Sequence, residues 1–173
     1  MRIFRALGAT FASAGGDTVG PLELVLERGE LVTLAFATPR EASIAARMCA
    51  AIVTPTTGTI YVADFDTRLQ PPAAKRRVGF VDARGWHGTA YGYACEIAFR
   101  AEVWGLDVVA ARERAATLLA ELPAPSEPYA FALAIALVTG PELVVLDDPT
   151  ETYVGAARSL LPDAAVIATH PRA

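Results

Sequence analysis

Pro141-Glu142-Leu143-Val144-Val145-Leu146-Asp147-Asp148-Pro149-Thr150 is the stretch on which the fold is decided. The run Leu143 to Leu146 has the length and partly β-branched content of a strand buried on both faces, as in a parallel sheet covered by helices. Two carboxylates follow where such a strand emerges, and Pro149 ends it. Asp147 and Asp148 therefore belong at the carboxyl edge of a sheet, where open α/β folds place their ligands. Asp-Pro-Thr is also ordinary turn chemistry, so a core strand ending in a turn accounts for the same residues without a ligand.

Length and composition limit what this stretch can belong to. A chain of 173 residues fits one domain, 1–173, and can bury a sizeable core. An apolar content of 53% exceeds that of most soluble domains and leaves apolar surface for a partner to cover. The longest apolar stretch, Tyr129 to Val138, is too short to span a bilayer. The net charge of -4 argues against nucleic acid as a partner. Cys49 and Cys95 lie in apolar, helix-like surroundings without metal-ligand spacing, so both read as buried thiols in a reducing, cytoplasmic setting. Arg2 and Arg5 ahead of Ala12-Ser13-Ala14 imitate a secretory leader, but Gly8, Thr10 and the missing apolar centre argue against one.

Outward from the central strand, the flanking segments fall into an alternating order. Arg2 to Ala6 and Leu22 to Glu27 read as strands separated by the turn-rich Ala14-Gly15-Gly16-Asp17. Gly29 to Leu34 is a turn entering a strand, and Arg40 to Ile52 is an Ala-rich helix. Thr59 to Ala63 is a short strand, Asp64 to Ala74 a polar loop with prolines, and Lys75 to Val81 another strand. The glycine-punctuated Gly85 to Tyr93 precedes helices at Cys95 to Trp104 and Val109 to Leu122. Tyr129 to Val138 is helical, with Ser126 as its cap and Glu127 and Pro128 in its first turn. A short helix, Gly155 to Leu161, leads to a strand, Ala165 to Ala168, followed by Thr169-His170.

In order and spacing these segments resemble the ATP-binding-cassette (ABC) ATPases, from roughly Leu22 to His170. The central stretch resembles their Walker B strand, which ends in Asp-Glu-Pro-Thr. Lys75-Arg76-Arg77-Val78-Gly79-Phe80-Val81 resembles their Arg-Arg-Ile-Gly-Tyr-Val strand, and Pro55-Thr56-Thr57-Gly58-Thr59 their Pro-Thr-Ser-Gly turn. The resemblance implies an α/β, P-loop NTPase-like, mostly parallel sheet flanked by helices. It adds N-terminal antiparallel edge strands and a reduced helical subdomain at about 85–128. It also implies roles: Asp147 on Mg²⁺, Asp148 polarising the attacking water and His170 as the switch histidine. Phe11 is the nearest aromatic to the adenine-stacking position, although off its spacing, and reads better as a core or loop residue. Trp86, Tyr91 and Tyr93 are either anchors for a membrane subunit or cover for the subdomain's own core. The sequence ends at Ala173, before the terminal helices of the family.

The functional motifs depart from the family. A P-loop needs glycines that turn successive amides toward the phosphates, a lysine for the β and γ groups, and a hydroxyl for Mg²⁺. Aligned without a gap, Phe36 and Glu41 stand at the glycine positions and Ala42 at the lysine position; only Ser43 keeps its type. Pro39 removes an amide, and Glu41 places a carboxylate where it would satisfy the helix start and repel a triphosphate. Arg40 restores one charge but not the loop. Asp148 replaces a glutamate and stands back by about one bond, ~1.5 Å. Asp82-Ala83 replaces the Mg²⁺-contacting glutamine. Pro123 to Glu127 replaces Leu-Ser-Gly-Gly-Gln, which in relatives closes over the γ-phosphate of the opposite subunit. Glu151 to Val154 replaces the dimer-contacting turn.

The expectation is therefore a degenerate ABC-type protein, a pseudo-ATPase without a cofactor. It would be a regulatory or structural subunit associated with a membrane permease or an active ABC ATPase, able to dimerise and peripheral at the inner membrane face. The alternative is a slow ATPase that retains ATP and Mg²⁺ through Ser43, Asp147 and Asp148, with Arg40 in place of the lysine. A third reading is an unrelated small ligand in the vacated cleft beside Asp147.

Overall fold

The computed structural model describes residues 1–172; Ala173, the last residue of the expected domain, lies outside them. Its elements run β1 (Arg2–Ala12), β2 (Thr18–Glu27), β3 (Leu31–Phe36), α1 (Pro39–Cys49), β4 (Thr57–Val62), β5 (Phe65–Asp66) and α2 (Pro71–Lys75). There follow β6 (Val78–Val81), α3 (Ala90–Trp104), α4 (Val108–Glu121), α5 (Pro128–Leu137), β7 (Leu143–Asp147), α6 (Glu151–Leu160) and β8 (Ala165–Pro171).

Alternation along β7 sets the layers. Leu143 and Val145 join one core cluster, Val144 and Leu146 another, and every residue of the strand is buried. The strand lies inside a parallel sheet of order β3-β8-β7-β6, so it needs apolar side chains on both faces. On the first face, the small residues of α1 (Ala45, Ala46, Cys49) let the helix approach closely, and they and Met48 are fully buried. Beyond α1 lies an antiparallel sheet, β2-β1-β4-β5, whose Ile3, Phe4, Ile60 and Val62 complete that cluster. On the second face lie α5 and α6, through Leu133, Leu137, Tyr153 and Val154. Each large apolar side chain buried this way contributes about 1.5–3 kcal/mol. A third cluster, Ile97, Ala101, Ala111, Ala115, Ile135 and Val138, joins α3 and α4 to α5. Among the described residues no helix is long and apolar enough to cross a membrane.

Several segments differ from the sequence reading, each for a physical reason. β1 continues past Ala6 because the extra length is absorbed by a register shift between Ala6 and Ala9, where Gly8 adopts φ 58°. Asp64 to Ala74 is more than loop: Phe65–Asp66 pairs with β4, and Pro71 and Pro72 open the five-residue α2. α6 starts at Glu151 rather than Gly155. Cys49 is buried, but Cys95 is exposed, because α3 carries apolar residues on its outer face as well. Ser126 does not cap α5; the cap position is Glu127, without a side-chain cap bond. Phe11 is half-buried against the first cluster, and Trp86 and Tyr93 pack partly on the third.

Candidate functional site

Parallel register assembles the site at the carboxyl edge of the sheet. Asp147 lies opposite Thr169 and Ala35 opposite His170, so the ends of β7, β8 and β3 meet. Asp147 is 1% exposed. It accepts hydrogen bonds from the Ser43 hydroxyl at 2.5 Å and the Thr169 hydroxyl at 3.4 Å, and from the backbone N–H of Ala83. Burial nevertheless outweighs these bonds and pushes its carboxyl above the ordinary range. Asp148 emerges into solvent with φ 49°, its amide held by the Thr169 carbonyl at 2.8 Å. Its carboxylate faces His170 Nδ1 at 3.3 Å.

The loop before α1 has a different character. Thr38 caps the helix, its hydroxyl accepting from the Glu41 amide at 3.1 Å. The Glu41 carboxylate reaches back and accepts from the amides of Ala37 at 3.0 Å and Thr38 at 3.2 Å. This is a reciprocal capping box with Pro39 at the first helical position. Arg40 points elsewhere, to Asp17 in the β1–β2 turn at 2.7 Å.

Opposite Asp147, the Asp82 carboxylate accepts from Arg84 at 2.9 Å and from Arg47 of α1 at 3.0 Å. The bond to Arg84 leads in holding its carboxyl down to about 2. At the start of α5, Glu127 accepts from the Tyr153 hydroxyl at 2.8 Å, and Tyr153 lies 4.8 Å from the Tyr129 ring. Tyr129 donates to the Asp147 carbonyl at 3.4 Å, and burial pushes its phenol far up.

The residues do not fit a triphosphate. Two of the amides that would face it are already bonded to a carboxylate of the same chain, Ala42 offers no ammonium, and Arg40 is paired away. Of the residues singled out in the sequence, Ser43 and Asp147 are joined directly, and Asp148 and His170 face each other beside them. Arg40 stands apart. The sequence reading missed the Asp17, Arg47 and Tyr153 partnerships, which span long separations and leave no local mark. Thr38-Pro39-Arg40-Glu41, by contrast, spells the capping-box pattern openly.

A parallel sheet with helices on both faces, an antiparallel sheet beyond α1 and acidic residues at the end of β7 define a P-loop NTPase-like α/β fold. Within that class the chain has the fold of ABC transporter ATP-binding subunits. It superposes on an ATP-binding subunit of an ABC transporter with a TM-score of 0.75 at 15% identity, over 97% of this chain and 79% of that one. The cbiO1 protein of Clostridium perfringens, part of the ABC transporter complex cbiONQ, gives 0.67 at 17% identity, over 98% and 78% of the two chains. The ATP-binding cassette MJ0796, in a dimeric post-hydrolysis state bound to ADP and Pi, gives 0.69 at 17% identity, over 97% and 88%. No family model matches the sequence, and no curated protein matches it.

Proposed function

We propose that this chain is a degenerate ABC-type subunit that does not hydrolyse ATP. It serves as a regulatory or structural subunit of a membrane transporter, at the inner face of the membrane, against a permease or an active ABC ATPase. The observation that carries the catalytic half of this reading is the Glu41 carboxylate seated on the Ala37 and Thr38 amides. A phosphate would have to displace it and then meet its charge. The transporter half is supported by the whole-chain likeness to subunits of transporter complexes and by the exposed apolar residues of α3.

A second reading, slow hydrolysis of Mg-ATP, draws on one specific geometry: Ser43 bonded to Asp147, with Asp148 and His170 alongside. Thermal unfolding in a titration with Mg-ATP separates the two. A ligand at a hundred times its dissociation constant stabilises by about 2.7 kcal/mol. The non-catalytic reading expects an unchanged midpoint at millimolar nucleotide. A rise that Asp147→Ala abolishes would show Mg-nucleotide binding and favour the second reading instead, with phosphate release as the measure of hydrolysis.

A further inference from the structure

A strand at the rim of a sheet leaves one side of its main chain unpaired, a template for another strand. The rims here are β2 and β5 in one sheet and β3 and β6 in the other. β2 is guarded by Pro21, Glu23 and Glu27, and β5 has only two residues. β6 lies beside α3, whose Arg100 and Trp104 share a cleft with Val78 and Phe80. β3, Leu31-Val32-Thr33-Leu34-Ala35-Phe36, has none of these devices and carries neither charge nor proline. It packs chiefly against β8 and α1.

Register decides which groups of β3 are free. The Glu30 and Phe36 carbonyls accept from the Val166 and Arg172 amides, so the even-numbered residues turn their main-chain groups toward β8. The N–H and C=O groups of Leu31, Thr33 and Ala35 therefore point away from the sheet. These residues are also the exposed ones, whereas Val32, Leu34 and Phe36 are half-buried.

We propose that β3 pairs antiparallel with β3 of a second copy, about a twofold axis at Thr33, joining two four-stranded parallel sheets into one. An axis standing on the sheet keeps like faces together, so only odd-numbered residues meet odd-numbered ones. Centred on Thr33, Thr33 meets Thr33 and Leu31 meets Ala35, and every free group of both strands is bonded. Any other allowed register carries Leu31 or Ala35 past the end of the opposing strand. Thr opposite Thr is a favourable cross-strand pair, and no charge stands on the ladder. At the strand ends, antiparallel pairing brings Arg28 and Glu30 beside Arg40 and Glu41, one charge of each sign on either side. This edge is its own complement, which singles out a second copy among strand-bearing partners. At about 20 Å long and about 10 Å thick it offers about 200 Å² per molecule, below the roughly 1,000 Å² total of a lasting complex. The dimer is accordingly reversible, and it does not depend on whether the chain binds nucleotide.

Sedimentation velocity from about 10 to about 500 µM tests it, with half-association expected near about 100 µM, in the range of weak contacts. Thr33→Glu and Thr33→Lys, at an exposed position, each set like charges opposite one another and should weaken the dimer about ten-fold or more. An equimolar mixture of the two variants should associate at least as well as the parent chain, a recovery that misfolding cannot produce. In the parent chain, amide exchange at Leu31, Thr33 and Ala35 should slow as concentration rises, while Val32 and Leu34 stay protected throughout. A parent chain still monomeric at about 500 µM would overturn the proposal. So would a mixture that does not recover, or odd-numbered amides that exchange alike at all concentrations. A dimer that both Thr33 variants keep and Phe99→Glu weakens would place the contact on α3 and overturn it as well.

Discussion

Asp147 shows at the scale of one residue how the scaffold keeps a polar group where it gains no stability from it. Three hydrogen bonds favour its charged form, yet burial raises its carboxyl above the ordinary value. The folded state therefore holds this proton more tightly than the unfolded chain, and ionisation costs stability. That cost is absent below the ordinary carboxylate range, near about 3.9, and complete once the pH exceeds the folded value. Asp147→Asn, neutral throughout, should raise stability at pH 7 by roughly 1 kcal/mol, a typical single-substitution effect, with the gap closing towards pH 4. Urea midpoints at the two pH values measure it. Asp82 behaves oppositely: held down to about 2 by Arg84 and Arg47, it stabilises the fold above the ordinary range and ceases to do so as the pH falls towards 2. The position of Asp147 at a strand end was readable in the sequence, because four apolar residues precede it. The Arg47–Asp82 pair was not, because nothing local links a helix residue to a carboxylate 35 positions away.

At the scale of the element, strands with a continuous apolar run were the easiest to place and short or irregular pieces the hardest. β7 was legible because burial on both faces leaves an unbroken apolar signature. β5, with two residues, and α2, with five, are too short to show a period and exist through pairing and packing alone. α3 misled for another reason: its outer face is apolar too, so the sequence did not distinguish the inward Ile97 from the outward Cys95 and Phe99. Close packing between elements left one sequence trace, a glycine inside a strand. A Cβ on Gly79 of β6 would lie 2.6 Å from the Ala136 carbonyl oxygen of α5. Gly79→Ala should therefore cost about 1–3 kcal/mol, as overpacking does, by forcing the strand and helix apart. A chemical denaturation midpoint would show it; an unchanged midpoint would mean that α5 is free to shift.

For the whole molecule, the distribution of apolar surface matters more than any single contact. Tyr91, Cys95, Phe99 and Val103 recur at four-residue spacing along one side of α3 and are all exposed, Phe99 by 60%. Contiguous apolar surface of this kind marks an interaction site or a solubility liability. Phe99→Glu should leave the unfolding free energy within about 0.5 kcal/mol, since most of that side chain faces solvent. Its effect should appear in the concentration at which the protein begins to self-associate, read by light scattering. The positive mean hydropathy foretold such surface without locating it.

The Glu41 side chain also bears on how the molecule reaches its final shape. The head of α1 is completed from within, by a group three residues along the same chain, rather than by a guest that must be captured from solution. On the proposed reading, any movement of this chain is imposed by the partners it docks against rather than set off at this corner.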